Sequence, residues 1–117
     1  MSSHRLGLGD GMTDVEVDEE KIYVGSIGIK IRLESGLTTD QLALATSVSI
    51  DYFRETDGST GRWTAVIEGT KVAHVTESLD LPVGSGGHYK LQIVYEWDTG
   101  KITFGTTADM RVYEKFE

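Results

Sequence analysis

Apolar and polar residues alternate with a period of two along most of the chain after residue 20, which is the pattern of half-buried β-strands. Residues 27–34 show it clearly, because four aliphatic side chains alternate with one glycine and three charged residues. Residues 89–97 carry the longest run, with an aromatic or aliphatic residue at every odd position. We expect residues 89–97 to form a central strand of the core.

Turn residues separate these runs. Asp57-Gly58, Gly69-Thr70 and Asp98-Thr99-Gly100 are hairpin signals, because glycine accepts the positive φ that tight turns require. Residues 39–45 are predicted to form a helical turn capped by Thr39 or Asp40, and residues 84–87 a flexible connection. About seven strands spaced by about 8 to 12 residues predict an all-β fold, an immunoglobulin-like antiparallel β-sandwich with an extended N-terminal arm.

The alternation also predicts which side chains lie between the two sheets. In residues 71–76 the inward face is ambiguous, since Val72 and His74 lie on one side and Ala73 and Val75 on the other. Elsewhere the predicted core consists of Ile29, Ile31, Val48, Ile50, Trp63, Leu91, Ile93 and Phe104.

The first twenty residues have a different character, glycine-rich and then acidic, so we divide the chain into an extended acidic arm at 1–20 and a sandwich domain at 21–117. Such a segment buries too little apolar surface to order alone. We expect it to dock on a neighbouring subunit, and its deletion to leave the melting temperature of the domain unchanged. The partner-binding residues predicted in the arm are Leu6, Leu8, Asp14, Val15, Glu16, Asp18, Glu19 and Glu20.

Charge and composition exclude several functions. The chain has 117 residues, 11 Lys and Arg against 19 Asp and Glu, and a formal charge of −8, which disfavours binding to nucleic acid. It has no Cys, so disulfides, zinc thiolates and thiol nucleophiles are excluded. No apolar run is long enough for a membrane span, and no signal peptide is expected.

The polar residues form no recognisable catalytic set. His4, His74 and His88 lack metal-ligand spacing, and no serine lies in a nucleophile motif. Asp14, Glu16 and Asp18 have the spacing of a calcium loop but not its glycine or closing glutamate, so an acidic docking segment is the other interpretation. We expect no enzymatic activity, no cofactor and no metal.

The aromatic residues allow two interpretations. Trp63, Tyr89, Tyr95 and Trp97 suggest a sugar-binding platform, because aromatic rings pack against the apolar faces of sugar rings. Strand parity places three of them on the face of Leu91, which favours burial instead.

Short motifs in residues 22–117 resemble one known family. The segment YVGSIG at 23–28 leads into IKIRLESG at 29–36 and ATSVSI at 45–50, and ETDGSTGRWTA at 55–65 has the form of a hairpin. These residues, together with GHYKLQ and RVYEKF near the end, resemble the immunoglobulin-like N-terminal domain of baseplate upper proteins of tailed phages and prophages. Ser26 and Thr56 stand where that family has Asp and Pro.

The resemblance implies a non-enzymatic structural component of a phage or phage-like particle, in the tail, baseplate or neck. It implies other virion structural subunits as partners, a homo-oligomer within the assembly, and a location in the virion after synthesis in the bacterial host cytoplasm. We expect assembly through the N-terminal arm and the sheet edges. The alternative is a carbohydrate-binding β-sandwich module that exposes Trp63 or Trp97 to host surface glycans.

Overall fold

The computed structural model describes residues 4–6, 15–17, 19, 21–78 and 80–117, and these form strands joined by short turns. The predicted all-β sandwich is confirmed: the described residues form nine strands and one short helix. The elements are β1 (His4–Leu6), β2 (Val15–Val17), β3 (Ile22–Tyr23), β4 (Lys30–Glu34), α1 (Thr39–Leu42), β5 (Ala45–Arg54), β6 (Thr60–Glu68), β7 (Lys71–Val75), β8 (Gly87–Trp97) and β9 (Ile102–Tyr113).

One strongly bent sheet supplies both layers, in the order β1-β2-β4-β7-β6-β5-β8-β9-β3. Strand β6 passes from one layer to the other, because its residues 60–65 pair with β5 and its residues 66–68 pair with β7. All neighbours are antiparallel except β3 and β9, which run parallel. The first layer therefore holds β1, β2, β4 and β7, and the second holds β5, β8, β9 and β3.

Most of the predicted core is confirmed. Six of the eight residues are buried, and Ile29 is half-buried against them. Phe104 is the exception, because its side chain is 62% exposed on the outer face. The pairing of β8 with β9 shifts register between Gln92 and Val94. This irregularity reverses the parity of β9, so that Ala108 and Met110 face the core while Phe104 does not.

Part of the predicted arm belongs to the sheet. Strand β2 pairs with β4, where Val15 lies opposite Leu33 and Val17 lies opposite Ile31. The side chains of Val15 and Val17 are fully buried in the core. The domain boundary at residue 21 and the role of Val15 as an anchor for a partner are therefore wrong. The backbone is extended here as predicted, but it is an integral strand.

The structure also tests the predicted turns and the ambiguous inward face of residues 71–76. The predicted helical turn is confirmed as α1, although its cap is Thr38: Thr38 Oγ1 accepts from Gln41 N, and Gln41 Oε1 accepts from Thr38 N. The predicted hairpin turns form, and Gly58 adopts φ of 73° in the first of them. In residues 71–76 the ambiguity is resolved, because Val72 and His74 are buried towards the core and Val75 is exposed.

The glycine-rich connection at residues 84–87 is not the flexible segment that its composition predicts. The Arg54 guanidinium donates to the carbonyl oxygens of Gly84 and Gly86, each at 2.8 Å or less. The Tyr89 hydroxyl donates to the Ser85 carbonyl. Because three consecutive carbonyls have buried or half-buried donors, the loop is held against β5 and β8.

Candidate functional site

A groove of about 700 Å³ crosses the outer face of β6, β5, β8 and β9. We call it the Phe53 groove, and its outward-facing lining consists of Asp51, Phe53, Thr60, Arg62, Lys90, Gln92 and Thr107. Phe53 is the aromatic residue of this lining, and its side chain is 41% exposed. The groove therefore combines polar side chains with one exposed aromatic ring.

The register of the strands arranges these side chains in two rows. In the first row Phe53 lies between Thr60 on β6 and Lys90 on β8. In the second row Asp51 lies between Arg62 and Gln92, in the same strands. The two rows are two residues apart along each strand, which corresponds to about 7 Å. The row that contains Phe53 thus runs beside a row of three hydrogen-bonding side chains.

The charges of the groove are largely compensated. Arg62 Nε and Nη2 donate to the two carboxylate oxygens of Asp51, at 2.6 and 3.1 Å. This bidentate pair raises the pKa of the Arg62 guanidinium above its usual value. Lys90 Nζ lies 3.6 Å from a carboxylate oxygen of Glu55. The groove consequently offers donors and acceptors without a strong net charge.

An aromatic cluster supports the groove from the core side. The ring of Tyr52 lies against Gly61, where an added Cβ would come within about 2.5 Å of the ring and displace it. Tyr52 contacts Trp63 and Tyr89, with centroid separations of 4.9 and 5.7 Å. Trp63 in turn stacks on His74 at 5.1 Å. The strands that line the groove are thereby held in place by packed rings.

His74 has a structural environment. Its Nδ1 lies 2.6 Å from the Thr64 carbonyl oxygen, and its Nε2 lies 2.8 Å from Asp80 Oδ2. Both ring nitrogens therefore have an oxygen partner within hydrogen-bond distance, which fixes the orientation of the ring. Within the described ranges no group of His, Asp and Glu side chains is arranged to hold a metal ion.

A second surface feature is apolar. Ile102 and Phe104 project from β9, both more than 60% exposed, opposite Glu96 and Val94 of β8. Leu44 lies at the same end of the molecule, since its carbonyl accepts a hydrogen bond from Asp98 N, and it is also exposed. We call Leu44, Ile102 and Phe104 the apolar patch.

A crevice of about 360 Å³ opens between the layers near the end of β4. Tyr95 and Trp97 stack inside it at 5.1 Å, and Trp97 Nε1 donates to Thr103 Oγ1 at 2.7 Å. Burial raises the pKa of Tyr95. Its hydroxyl has no hydrogen-bond partner of good geometry in the described part of the chain. The two aromatic rings of the crevice pack against each other.

The predicted partner-binding residues of the arm have different environments in the structure. Glu16 forms ion pairs within the domain, to Lys71 at 3.2 Å and Arg32 at 3.9 Å, and is not free for a partner. Glu19 is exposed. Leu6 lies in β1, and its side chain is not among those described. The predicted sites Leu8, Asp14, Asp18 and Glu20, and with them most of the calcium-loop hypothesis, lie outside the described residues.

The predicted sugar-stacking tryptophans are not at the groove. Trp63 is 4% exposed, so the hypothesis of a carbohydrate-binding module that stacks a sugar on Trp63 is wrong. Trp97 is half-buried in the crevice. Sequence reasoning missed Phe53, although an aromatic residue on the polar face of a strand is a usable signal. That signal lay in the alternation of Asp51 and Phe53 with the inward Ile50 and Tyr52.

Comparisons with known proteins give little further information. No protein-family model and no curated protein matches the sequence. Among solved structures, the chain is similar to CopC from Methylosinus trichosporium OB3b, with 13% identity and a TM-score of 0.45 over 97% of this chain and 98% of that chain. We transfer no property of CopC to this protein. No helix in the described ranges is long and apolar enough to cross a membrane.

Proposed function

We propose that this protein is a non-enzymatic structural subunit of a phage or phage-like particle, present in several copies in the tail, baseplate or neck. The resemblance of residues 22–117 to the immunoglobulin-like domain of baseplate upper proteins supports this function. The proposed partners are further copies of the chain and other virion subunits. The proposed location is the virion, after synthesis in the bacterial host cytoplasm.

The observation that carries the proposal is the apolar patch. Three large aliphatic or aromatic side chains, Leu44, Ile102 and Phe104, are more than half exposed at one end of the domain. Burial of their exposed apolar surface in a contact favours association, against the loss of translational and rotational freedom. Exposed apolar clusters of this kind are typical of surfaces that bind another protein.

A second copy of the same chain is the occupant that we propose for the patch. The chain carries a formal charge of −8, so two copies repel each other over most of their surfaces. The three residues of the patch are uncharged, so contact between their side chains adds no repulsion of its own. This contact is proposed beside the predicted docking of the N-terminal arm, of which residues 15–17 already pair with β4 in the sheet.

Sedimentation of the purified protein tests this contact. We expect the wild type to self-associate with rising concentration and the Phe104→Asp variant to remain monomeric, because the new carboxylate is buried unpaired in the contact. Phe53→Asp is the matched control, since it places the same charge on the same sheet outside the patch. A wild type that stays monomeric at all concentrations, or equal association of the two variants, would contradict the proposal.

A further inference from the structure

The Phe53 groove shares no lining residue with the apolar patch and has a different chemistry. We propose that the groove binds a neutral saccharide, with a sugar ring against Phe53 and its hydroxyl groups hydrogen-bonded to Asp51, Arg62 and Gln92. This site goes beyond the proposed structural role and does not use the apolar patch. It also differs from a module built on Trp63 or Trp97.

Phe53 supplies the apolar part of the site. Its ring is partly exposed in the middle of the sheet, between the side chains of Thr60 and Lys90. The C–H face of a pyranose ring is apolar, and an aromatic ring is the protein surface that packs against it most effectively. Sites for small ligands usually combine such an apolar surface with a few convergent polar groups.

The neighbouring row supplies the polar part. Asp51 presents a carboxylate acceptor and Arg62 a planar set of donors, locked together by two hydrogen bonds. Gln92 Nε2 donates to the Gly105 carbonyl at 3.3 Å, which orients its amide. This row lies about 7 Å from Phe53 along the strands. A sugar ring and its hydroxyls span a similar distance, so one ring reaches both rows.

The charges of the groove favour a neutral ligand over an anion. Arg62 is paired with Asp51, and Lys90 lies beside Glu55. A phosphate or a sulfated chain would have to displace these carboxylates and approach a protein of formal charge −8. A neutral saccharide displaces no carboxylate and is not repelled by the negative charge of the protein. It can still use the same donors and acceptors.

The open shape of the groove indicates weak binding at each site. A site on one sheet face covers only one side of a sugar, so we expect a dissociation constant of about 1 mM. Several copies in one assembly would raise the effective affinity through multivalency. Weak single sites on a repeated subunit are therefore sufficient for contact with a polysaccharide surface.

Titration of the isotope-labelled full-length protein by NMR tests the proposal. The probes are neutral tetrasaccharides of glucose, galactose, mannose, N-acetylglucosamine and rhamnose, each raised to about tenfold above a millimolar dissociation constant. We expect at least one probe to shift the amide signals of Phe53, Arg62 and Gln92 in a saturable way. No shift with any of the five probes, or saturable shifts confined to another surface, would overturn the proposal.

Paired variants give the test its specificity. Phe53→Ala should weaken binding by about tenfold or more, whereas Phe104→Ala, which removes another exposed phenylalanine from the same layer, should leave it unchanged. Arg62→Gln should also weaken binding, and it is the variant to measure if Phe53→Ala fails to fold. Equal binding by Phe53→Ala and the wild type would overturn the site. Failure of the self-association test at Phe104 leaves this result unaffected, so the two proposals are judged separately.

Discussion

At the scale of single residues, the Trp63 side chain links the packing beneath the Phe53 groove to the packing around His74. Its ring is buried between Tyr52, which underlies the Phe53 groove, and His74, which is held by Thr64 and Asp80. The strand that carries it passes from one layer into the other. Its packing therefore stabilises both the join between the layers and the floor of the groove.

Truncation of this packing should be costly. Trp63→Ala, and likewise Leu91→Ala, should lower the free energy of unfolding by about 3 to 5 kcal/mol, because each leaves a cavity in a closely packed core. Chemical denaturation measures the change. Phe104→Ala is the control and should alter stability by about 0.5 kcal/mol or less, since that side chain is largely exposed. An unchanged midpoint for Leu91→Ala would show that β8 faces the other way.

The ion-paired carboxylate of Glu68 gives a prediction about acid stability. Hydrogen bonds from Lys30 Nζ at 2.8 Å and Arg32 Nε at 3.0 Å lower the pKa of Glu68 below its usual value. Its folded pKa lies below its unfolded pKa, so it stabilises the fold at neutral pH. This contribution is lost as the pH falls below about 5.

Thermal melts across the acid range measure this effect. Glu68→Gln should lower the melting temperature at neutral pH and reduce its decline with falling pH, because the variant has no carboxylate to protonate there. Glu96→Gln is a matched control, since within the described residues the Glu96 carboxylate accepts from the Ser47 hydroxyl at 3.5 Å rather than from a cation. Parallel melting curves for Glu68→Gln and the wild type at every pH would contradict the assignment.

At the scale of elements, the alternation of residues predicted β4, β5 and β8 well, because each has one apolar and one polar face. It failed in β9, where an irregularity opposite Gln92 and Val94 reverses the inward face and exposes Phe104. It also missed β2, since three residues within an acidic run show too little periodicity to reveal a strand. The Phe53 groove depends on how β6, β5, β8 and β9 pair with one another. The sequence of a single strand does not reveal that register.

The role of β2 leads to a prediction opposite to that of a free arm. Deletion of residues 1–20 should lower the melting temperature strongly, because it removes the buried side chains of Val15 and Val17 and the hydrogen bonds along β4. Val17→Asp should have a comparable effect by burying an unpaired charge. Glu19→Ala is the control, as Glu19 is exposed. An unchanged melting temperature after the deletion would mean that β2 does not stabilise the domain.

At the scale of the whole molecule, we propose different roles for the apolar patch and the Phe53 groove, which lie on one layer of the sandwich. The patch is proposed to join copies of the chain, and the groove is proposed to contact neutral saccharide. An assembly held by the patch would present several grooves at once, which compensates for weak binding at each. The fold itself fixes neither role, because β-sandwiches support many unrelated functions.

Quantitative mass spectrometry of intact particles tests the structural role most directly. Phage or phage-like particles purified from the source should contain the protein in a fixed number of copies relative to the other tail proteins. The ratio should persist through repeated gradient purification. Particles that are complete and contain the chain only in traces, or not at all, would contradict the account.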